Sequence, residues 1–452
     1  MSHRISGKAN TFKYPFRAGA FFFIGLAASV QATELDVTAY SDTEFTSNAR
    51  LATTDTKSDV IERLGLDVRL TEERKRFNAN ANFRLEQEYY LNNTFSEQTN
   101  LTTGFGLFNF DLIEDFLDWR TSFTRTQTLS NPAGPDIPDN REERNIFRSG
   151  PSINYRINPG STLQIGANYI LVENSDDSAA DTKRFDANAS YIYQYNSITQ
   201  FSLNGVYDEI IESDIDDPLQ PKSDDEIRNI TLNVGMNRLF SKGSFSINAG
   251  QNQVRSDTRD TVTGNFFNVI LDRDEFFSHQ LNLRYSESIS DSSIGFDTLE
   301  QQLTANPANP GVPGTLESTS TLDIIKRKRL DLMLTRDIDT FQYSLIAFRS
   351  DLDYDVQLND ERSIGFTLLG RQRLKEHWTG GISYQQIQQD FIDRPQDGKN
   401  ITHIYKVETD YQWTRSFSIN GFVAFEQRQN DDSSIREYEE FTVGVSLKLK
   451  LY

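Results

Sequence analysis

The stretch VIERLGLDVRLTEERKRFNANANFRL, Val60 to Leu85, decides how this chain is read. Val60, Glu62, Leu64, Leu66, Val68 and Leu70 alternate with Ile61, Arg63, Gly65, Asp67 and Arg69. After the polar connection Thr71 to Lys75, Phe77, Ala79, Ala81, Phe83 and Leu85 alternate with Asn78, Asn80, Asn82 and Arg84. Period-2 alternation puts every second side chain on one side of a strand, so this is a β-hairpin with one apolar and one charged face. A soluble sheet reads the same way. What surrounds the hairpin must say whether its apolar face meets a protein core or lipid.

The unit recurs. Asn158-Pro159-Gly160-Ser161, Asn196-Ser197, Leu239 to Gly243, Asp337-Ile338-Asp339, Lys375-Glu376-His377 and Thr414-Arg415-Ser416 are short turns between alternating runs, with the residue types that tight turns require. Between these hairpins stand longer acidic segments bearing Pro and Gly: Ser130 to Glu143, Glu212 to Glu226, Arg255 to Asp274 and Thr304 to Thr315. All four read as loops. Short turns alternating with long loops is the asymmetry of outer-membrane barrels. Counting from Leu35 to Leu451 predicts about 20 strands, in the range 18 to 22, most of them about 10 to 14 residues long. Ile294 to Gln302 is the weakest strand assignment, and Phe266 to Ile270 reads equally as strand or loop. A β-propeller is also rich in hairpins, but the chain shows no repeat by blade.

Composition agrees with a barrel. Only 37% of residues are hydrophobic and the mean hydropathy is −0.58, yet there are 32 Phe and 18 Tyr. A closed sheet with a polar interior and an aromatic-rimmed exterior combines these properties. At the N-terminus, Arg4, Lys8, Lys13 and Arg17 precede the apolar run Ala18 to Val30, and Val30-Gln31-Ala32 carries small residues at signal-peptidase spacing. The run, about 13 residues, is shorter than the ~20 a spanning helix needs. The expected organisation is a cleaved signal peptide at 1–32 and a single outer-membrane barrel domain at 33–452, all-β, transmembrane, antiparallel and up-and-down.

The chain has no Cys, which excludes disulfide frameworks and thiolate metal sites. Without the four basic residues of the signal, the formal charge moves from −20 to −24, which excludes nucleic acid as a partner. At the other end, Phe441, Val443, Val445, Leu447, Leu449 and Leu451 alternate with polar residues to form a final strand. Its Thr442-x-Gly444-x-x-Leu447-x-Leu449 resembles the terminal signal by which the outer-membrane assembly machinery recognises its substrates, although Leu stands where aromatic residues are usual.

With the apolar parity turned to lipid, the other parity faces a lumen. Arg63, Arg69, Arg84, Arg120, Arg156, Arg284, Arg329, Arg371, Arg373 and Lys448 fall there and are candidate solute contacts, since guanidinium pairs with carboxylate in bidentate geometry. Arg148, Arg327, Lys406 and Lys450, with Asp67, Glu86, Glu88, Asp186, Asp331, Glu408 and Asp410, share that face. Any one of these charges is also explained as the solvated wall of a wet barrel or as part of an ion-pair ladder. Catalysis is not expected. Of the four His, His3 leaves with the signal, His377 sits in a predicted periplasmic turn, and His279 and His403 are placed near the outer ends of their strands. Neither a nucleophile elbow nor zinc-type His spacing is present. The loop cluster Asp214-Ile215-Asp216-Asp217 lacks an EF-hand pattern. Neither metal nor cofactor is therefore expected.

A signal peptide followed by β-hairpins, with the loop NPAGPDIPDN (131–140) and strands such as FSLNGVYDE (201–209) and LNLRYSESISDSS (281–293), resembles the outer-membrane β-barrels encoded with exopolysaccharide synthesis genes, including those of PEP-CTERM sorting systems. The resemblance implies export of a polysaccharide, or its retention at the surface. No binding or catalytic residue transfers with it. The expected function is a hydrophilic conduit for an exopolysaccharide. The alternatives are a non-conducting structural or adhesive barrel and a general porin. Expected partners are outer-membrane lipid and lipopolysaccharide, a polysaccharide, a periplasmic export partner and the barrel assembly machinery.

Overall fold

The structure, a computed structural model, describes residues 34–130, 134–175, 181–212, 226–291, 323–355, 360–392, 398–431 and 437–451. Twenty strands follow one another: β1 (Glu34–Thr46), β2 (Asp59–Arg74), β3 (Phe77–Tyr90), β4 (Gln98–Ile113), β5 (Leu117–Leu129), β6 (Arg141–Asn158) and β7 (Ser161–Asn174). Next come β8 (Thr182–Asn196), β9 (Thr199–Glu212), β10 (Glu226–Phe240), β11 (Gly243–Ser256), β12 (Val262–Phe276), β13 (His279–Asp291) and β14 (Ile324–Ile338). The last six are β15 (Phe341–Tyr354), β16 (Glu361–Lys375), β17 (Trp378–Phe391), β18 (Lys399–Gln412), β19 (Phe417–Asn430) and β20 (Tyr438–Lys450). Each pairs antiparallel with its sequence neighbours, and β1 pairs with β20, which closes the sheet into a barrel. Twenty strands spaced ~4.8 Å apart and tilted ~40° give a backbone diameter of roughly 40 Å.

The connections alternate strictly. Seven of the nine turns between even and odd strands are two residues long, whereas the connections at the other end span 5 to 32 residues. By the rule for such barrels, the short turns are periplasmic and the long loops extracellular. One short turn, Phe277-Ser278, holds both residues at positive φ, 49° and 65°, as a type I′ hairpin demands.

The apolar parity lies outside. Leu64, Leu66, Leu203, Leu232, Val234, Ile382 and Val407 are exposed along it. All three Trp, Trp119, Trp378 and Trp413, stand at the periplasmic end, with Phe45, Phe185 and Phe441 toward the other. Along β8 the aromatic rows at Phe185 and Tyr193 are eight residues apart, about 20 Å along the membrane normal after tilt, close to the apolar band of such barrels. In water, this belt of exposed side chains would be unfavourable by roughly 25 cal/mol per Å². In lipid it is the solvated surface.

The strands are 13 to 18 residues long; twelve of the twenty, at 13 or 14, fall within the 10 to 14 expected, eight run longer, and all exceed the 9–11 needed to span. The tight turns are correspondingly shorter. β2 runs through Arg74, leaving only Lys75 and Arg76 between it and β3. The reading of Arg255 to Asp274 as a loop is corrected: only 257–261 connect β11 to β12, and Phe266 to Ile270 are strand. Both faces of that strand carry large apolar residues, so period 2 was hidden. Ile294 to Gln302, Thr304 to Thr315, Asp214 to Asp217, nearly all of Glu212 to Glu226 and the expected signal peptide lie outside the described residues.

Candidate functional site

Register fixes which side chains share a face, and two long contacts show which face is inner. Arg184 on β8 lies 3.5 Å from Asp291 at the end of β13, with four strands between them. Arg428 on β19 donates to the carbonyl of Gly134 in the β5–β6 connection at 3.1 Å. Contacts that skip strands are possible only across the concave side, so the polar parity lines the lumen.

All ten sequence-derived basic residues carry that parity. Arg63 reaches Glu44 at 2.8 Å and Glu88 at 3.0 Å, tying β1, β2 and β3 together. Arg84 forks onto Asp67 at 2.7 and 3.1 Å, Arg329 meets Asp331 at 2.8 Å, and Arg371 meets Glu408 at 3.0 Å. These are ladders along the wall. Arg69, Arg156, Arg284, Arg373 and Lys448 form no ion pair with another described residue. Arg120 is exposed near the start of β5. The ten are spread over β2, β3, β5, β6, β13, β14, β16 and β20 and do not converge on one point.

Their exposure divides the lumen in two. Arg69, Arg120, Arg156, Arg284, Arg371, Arg373 and Lys448, in the periplasmic half, are exposed, as are Asn78, Asn80, Asn82, Asn237 and Asp410. In the extracellular half the inward residues are buried on strand after strand: Thr46, Asp59, Glu88, Arg144, Thr182, Asp208, Asn229, Asn252, Glu361, Asn400 and Arg428. A barrel roughly 40 Å across leaves its wall wet unless something covers it. The lumen is therefore open toward the periplasm and covered toward the outside.

Part of the cover is a strand that leaves the wall. β13 pairs with β12 only as far as Phe267 opposite Glu287, and Val262 to Phe266 pair with β11 alone. Beyond Glu287 the β13–β14 ends tuck inside, so their formerly outward face meets the inner wall. Ile289 and Ile324 pack there on Ile210, Ile227 and Val254, the last three fully buried, with Val262 at the edge. Gly264 makes room, since a Cβ there would lie 2.5 Å from Ile289 Cδ1. Around this apolar contact, Arg184 pairs with Asp208 at 3.1 Å as well as with Asp291. Asn229 donates to Asp208 at 3.4 Å, and Arg259 donates to Asp323 at 2.8 Å. We call this the mouth clamp. The sequence reading missed it, although Ile210, Ile227 and Val254 occupy the otherwise polar parity, and that was its signal.

His279 and His403 face away from the lumen. His279 opens β13 beside the periplasmic turn, which corrects its placement at the outer end of the strand; its Nε2 and Tyr343 Oη are 2.7 Å apart on the outer face. His403 Nδ1 and Tyr384 Oη are 3.0 Å apart, also outside. His377 lies in the β16–β17 turn, as expected.

A closed sheet whose strands pair with both neighbours along most of their length, banded outside by apolar and aromatic residues, is one of the two forms that cross a bilayer. The chain is an outer-membrane β-barrel. No protein-family model and no curated protein matches it. Among solved structures it is similar to the siderophore receptor PiuA from Acinetobacter baumannii, with 9% identity, 93% of this chain and 82% of that one covered, and a TM-score of 0.49. It is also similar to the ferric citrate transporter FecA in unliganded form, with 8% identity, 93% and 79% covered, and a TM-score of 0.49. A third similarity is to the FrpB iron transporter from Neisseria meningitidis, with 10% identity, 93% and 82% covered, and a TM-score of 0.48.

Proposed function

We propose that the barrel is a conduit through which a hydrophilic, hydroxyl-rich polymer, an exopolysaccharide, passes from the periplasm to the cell surface. The observation that carries this reading is the asymmetry of the lumen. Its periplasmic half is wide, wet and lined by amides and by charges of both signs, while its extracellular half is covered by the mouth clamp and the β5–β6 connection. Such a wall offers donors and acceptors to sugar hydroxyls at every level without the strong single-sign field that would retain a polyion. The open mouth faces the side from which an export substrate arrives. Membership of the exopolysaccharide-associated barrel group, a periplasmic export partner on the short turns and insertion by the assembly machinery belong to the same proposal.

A non-conducting scaffold is the second reading, favoured by the covered mouth. Two measurements decide. A deletion strain should lose exopolysaccharide from its medium; normal export would end the conduit reading. In planar bilayers the purified barrel should show small or rare openings that enlarge when the clamp is broken, whereas a scaffold stays silent in both forms.

A further inference from the structure

The extracellular rim above β1 to β6 holds a cavity of about 510 Å³ lined by Arg50, Thr53, Thr54, Asp55, Phe95 and Asp139, among others. The volume lies in the range of small-ligand pockets, ~300–1,000 Å³. It is framed by three loops, β1–β2, β3–β4 and β5–β6, and each is held by polar anchors. The Asn48 side chain donates to the Ala52 carbonyl at 2.9 Å and accepts from the Ala52 amide at 3.1 Å. Thr53 Oγ1 donates to the carbonyl of Glu437 at 2.6 Å. Asp59, fully buried, accepts from the amides of Val60, Asn92 and Thr94 at 2.7, 2.7 and 3.1 Å. Arg141 holds Asp136 at 2.6 Å, just before the single helical turn Pro138–Asn140. Loops tethered in this way present a preformed surface, which lowers the ordering cost of binding.

The lining has a definite chemistry. Phe95 is steadied by an edge contact with buried Tyr90, ring centroids 5.2 Å apart, and forms one wall. Ile137 and Ala52 extend the apolar surface, and three threonine hydroxyls, a guanidinium and two carboxylates stand around it. An apolar platform ringed by neutral and charged hydrogen-bonding groups matches a pyranose, whose C–H face is apolar and whose edge is hydroxyls. Two carboxylates against one guanidinium disfavour an acidic sugar.

We propose that this pocket binds a short run of an uncharged glycan at the extracellular mouth, with Phe95 stacking on a sugar ring and Asp139 and Arg50 bonding its hydroxyls. The site deepens the conduit reading, on which it rests for the source of the glycan. The test is calorimetric titration of the detergent-purified full chain with maltohexaose, cellohexaose and laminarihexaose, and with hexagalacturonate as the acidic comparison. At least one neutral hexasaccharide should bind. Phe95→Ala should weaken it about tenfold or more, the scale of losing an aromatic anchor, and Asp139→Asn should weaken it as well. Phe277→Ala, an exposed aromatic at the opposite end, should leave binding unchanged. Heat-modifiable migration shows that each variant is folded, and Asp139→Asn carries the test if Phe95→Ala fails to fold. Binding of hexagalacturonate alone, no binding of any neutral probe, or binding unchanged in both pocket variants overturns the proposal. A deletion strain that exports normally while the pocket still binds removes the conduit and leaves the pocket.

Discussion

Replacing Arg184 with Met tests the mouth clamp. The Arg184 guanidinium lies between Asp208 at 3.1 Å and Asp291 at 3.5 Å, and all three side chains are at most 8% exposed. Asp208 belongs to the wall and Asp291 to the strand end that has left it, so the arginine bridges the two. Removing it takes the shared guanidinium away from two buried carboxylates. Breaking a buried ion pair from one side costs about 3–5 kcal/mol. At 1.36 kcal/mol per power of ten, the covered arrangement should lose two to nearly four powers of ten against an uncovered one. The Ile289 and Ile324 packing would still resist part of that change. Single-channel recording of the purified barrel should show larger or far more frequent openings for Arg184→Met than for the native chain, with heat-modifiable migration unchanged. Equal conductance with an unchanged melting point would refute the clamp, since it would mean that neither the mouth nor the fold depends on the bridge.

Two further outcomes follow from other features. Leu66, exposed midway along β2, should face the bilayer midplane, so Leu66→Arg should cost ~2–4 kcal/mol, read as a lower urea midpoint for folding in lipid; an unchanged midpoint would reverse the assignment of faces. Gly264→Leu should push Ile289 out of the clamp, because even a Cβ lies 2.5 Å from Ile289 Cδ1; with no native Cys in the chain, an Ile289→Cys reporter should react faster with an impermeant maleimide when Gly264→Leu is present.

Side-chain parity was legible in the sequence because it is local. Val60 to Leu85 showed its two faces, and all ten basic candidates proved to share the inner one. Strand ends were less legible, since Thr71 to Arg74 carry polar residues on both faces where the strand leaves the membrane. β12 was partly hidden because Phe266 and Ile270 face inward while Phe267, Val269 and Leu271 face outward, which erases the alternation. The clamp was beyond local reading. It depends on β13 parting from β12 after Glu287 and meeting strands β8 to β11, and no window of neighbouring residues contains that information. The same holds for the rim pocket, built from three loops brought together only by barrel closure.

The seam between β1 and β20 carries a consequence for assembly. It joins nine residue pairs, Thr38 with Lys450 through Thr46 with Thr442, against thirteen between β1 and β2. Until the last strand is delivered, β1 is a free edge, and an unpaired strand edge is a template for wrong partners. The chain must therefore be chaperoned as an open ribbon until β20 pairs with β1. The shorter of these two ladders is the one that forms last, which makes this seam the natural line along which the cylinder is zipped during insertion.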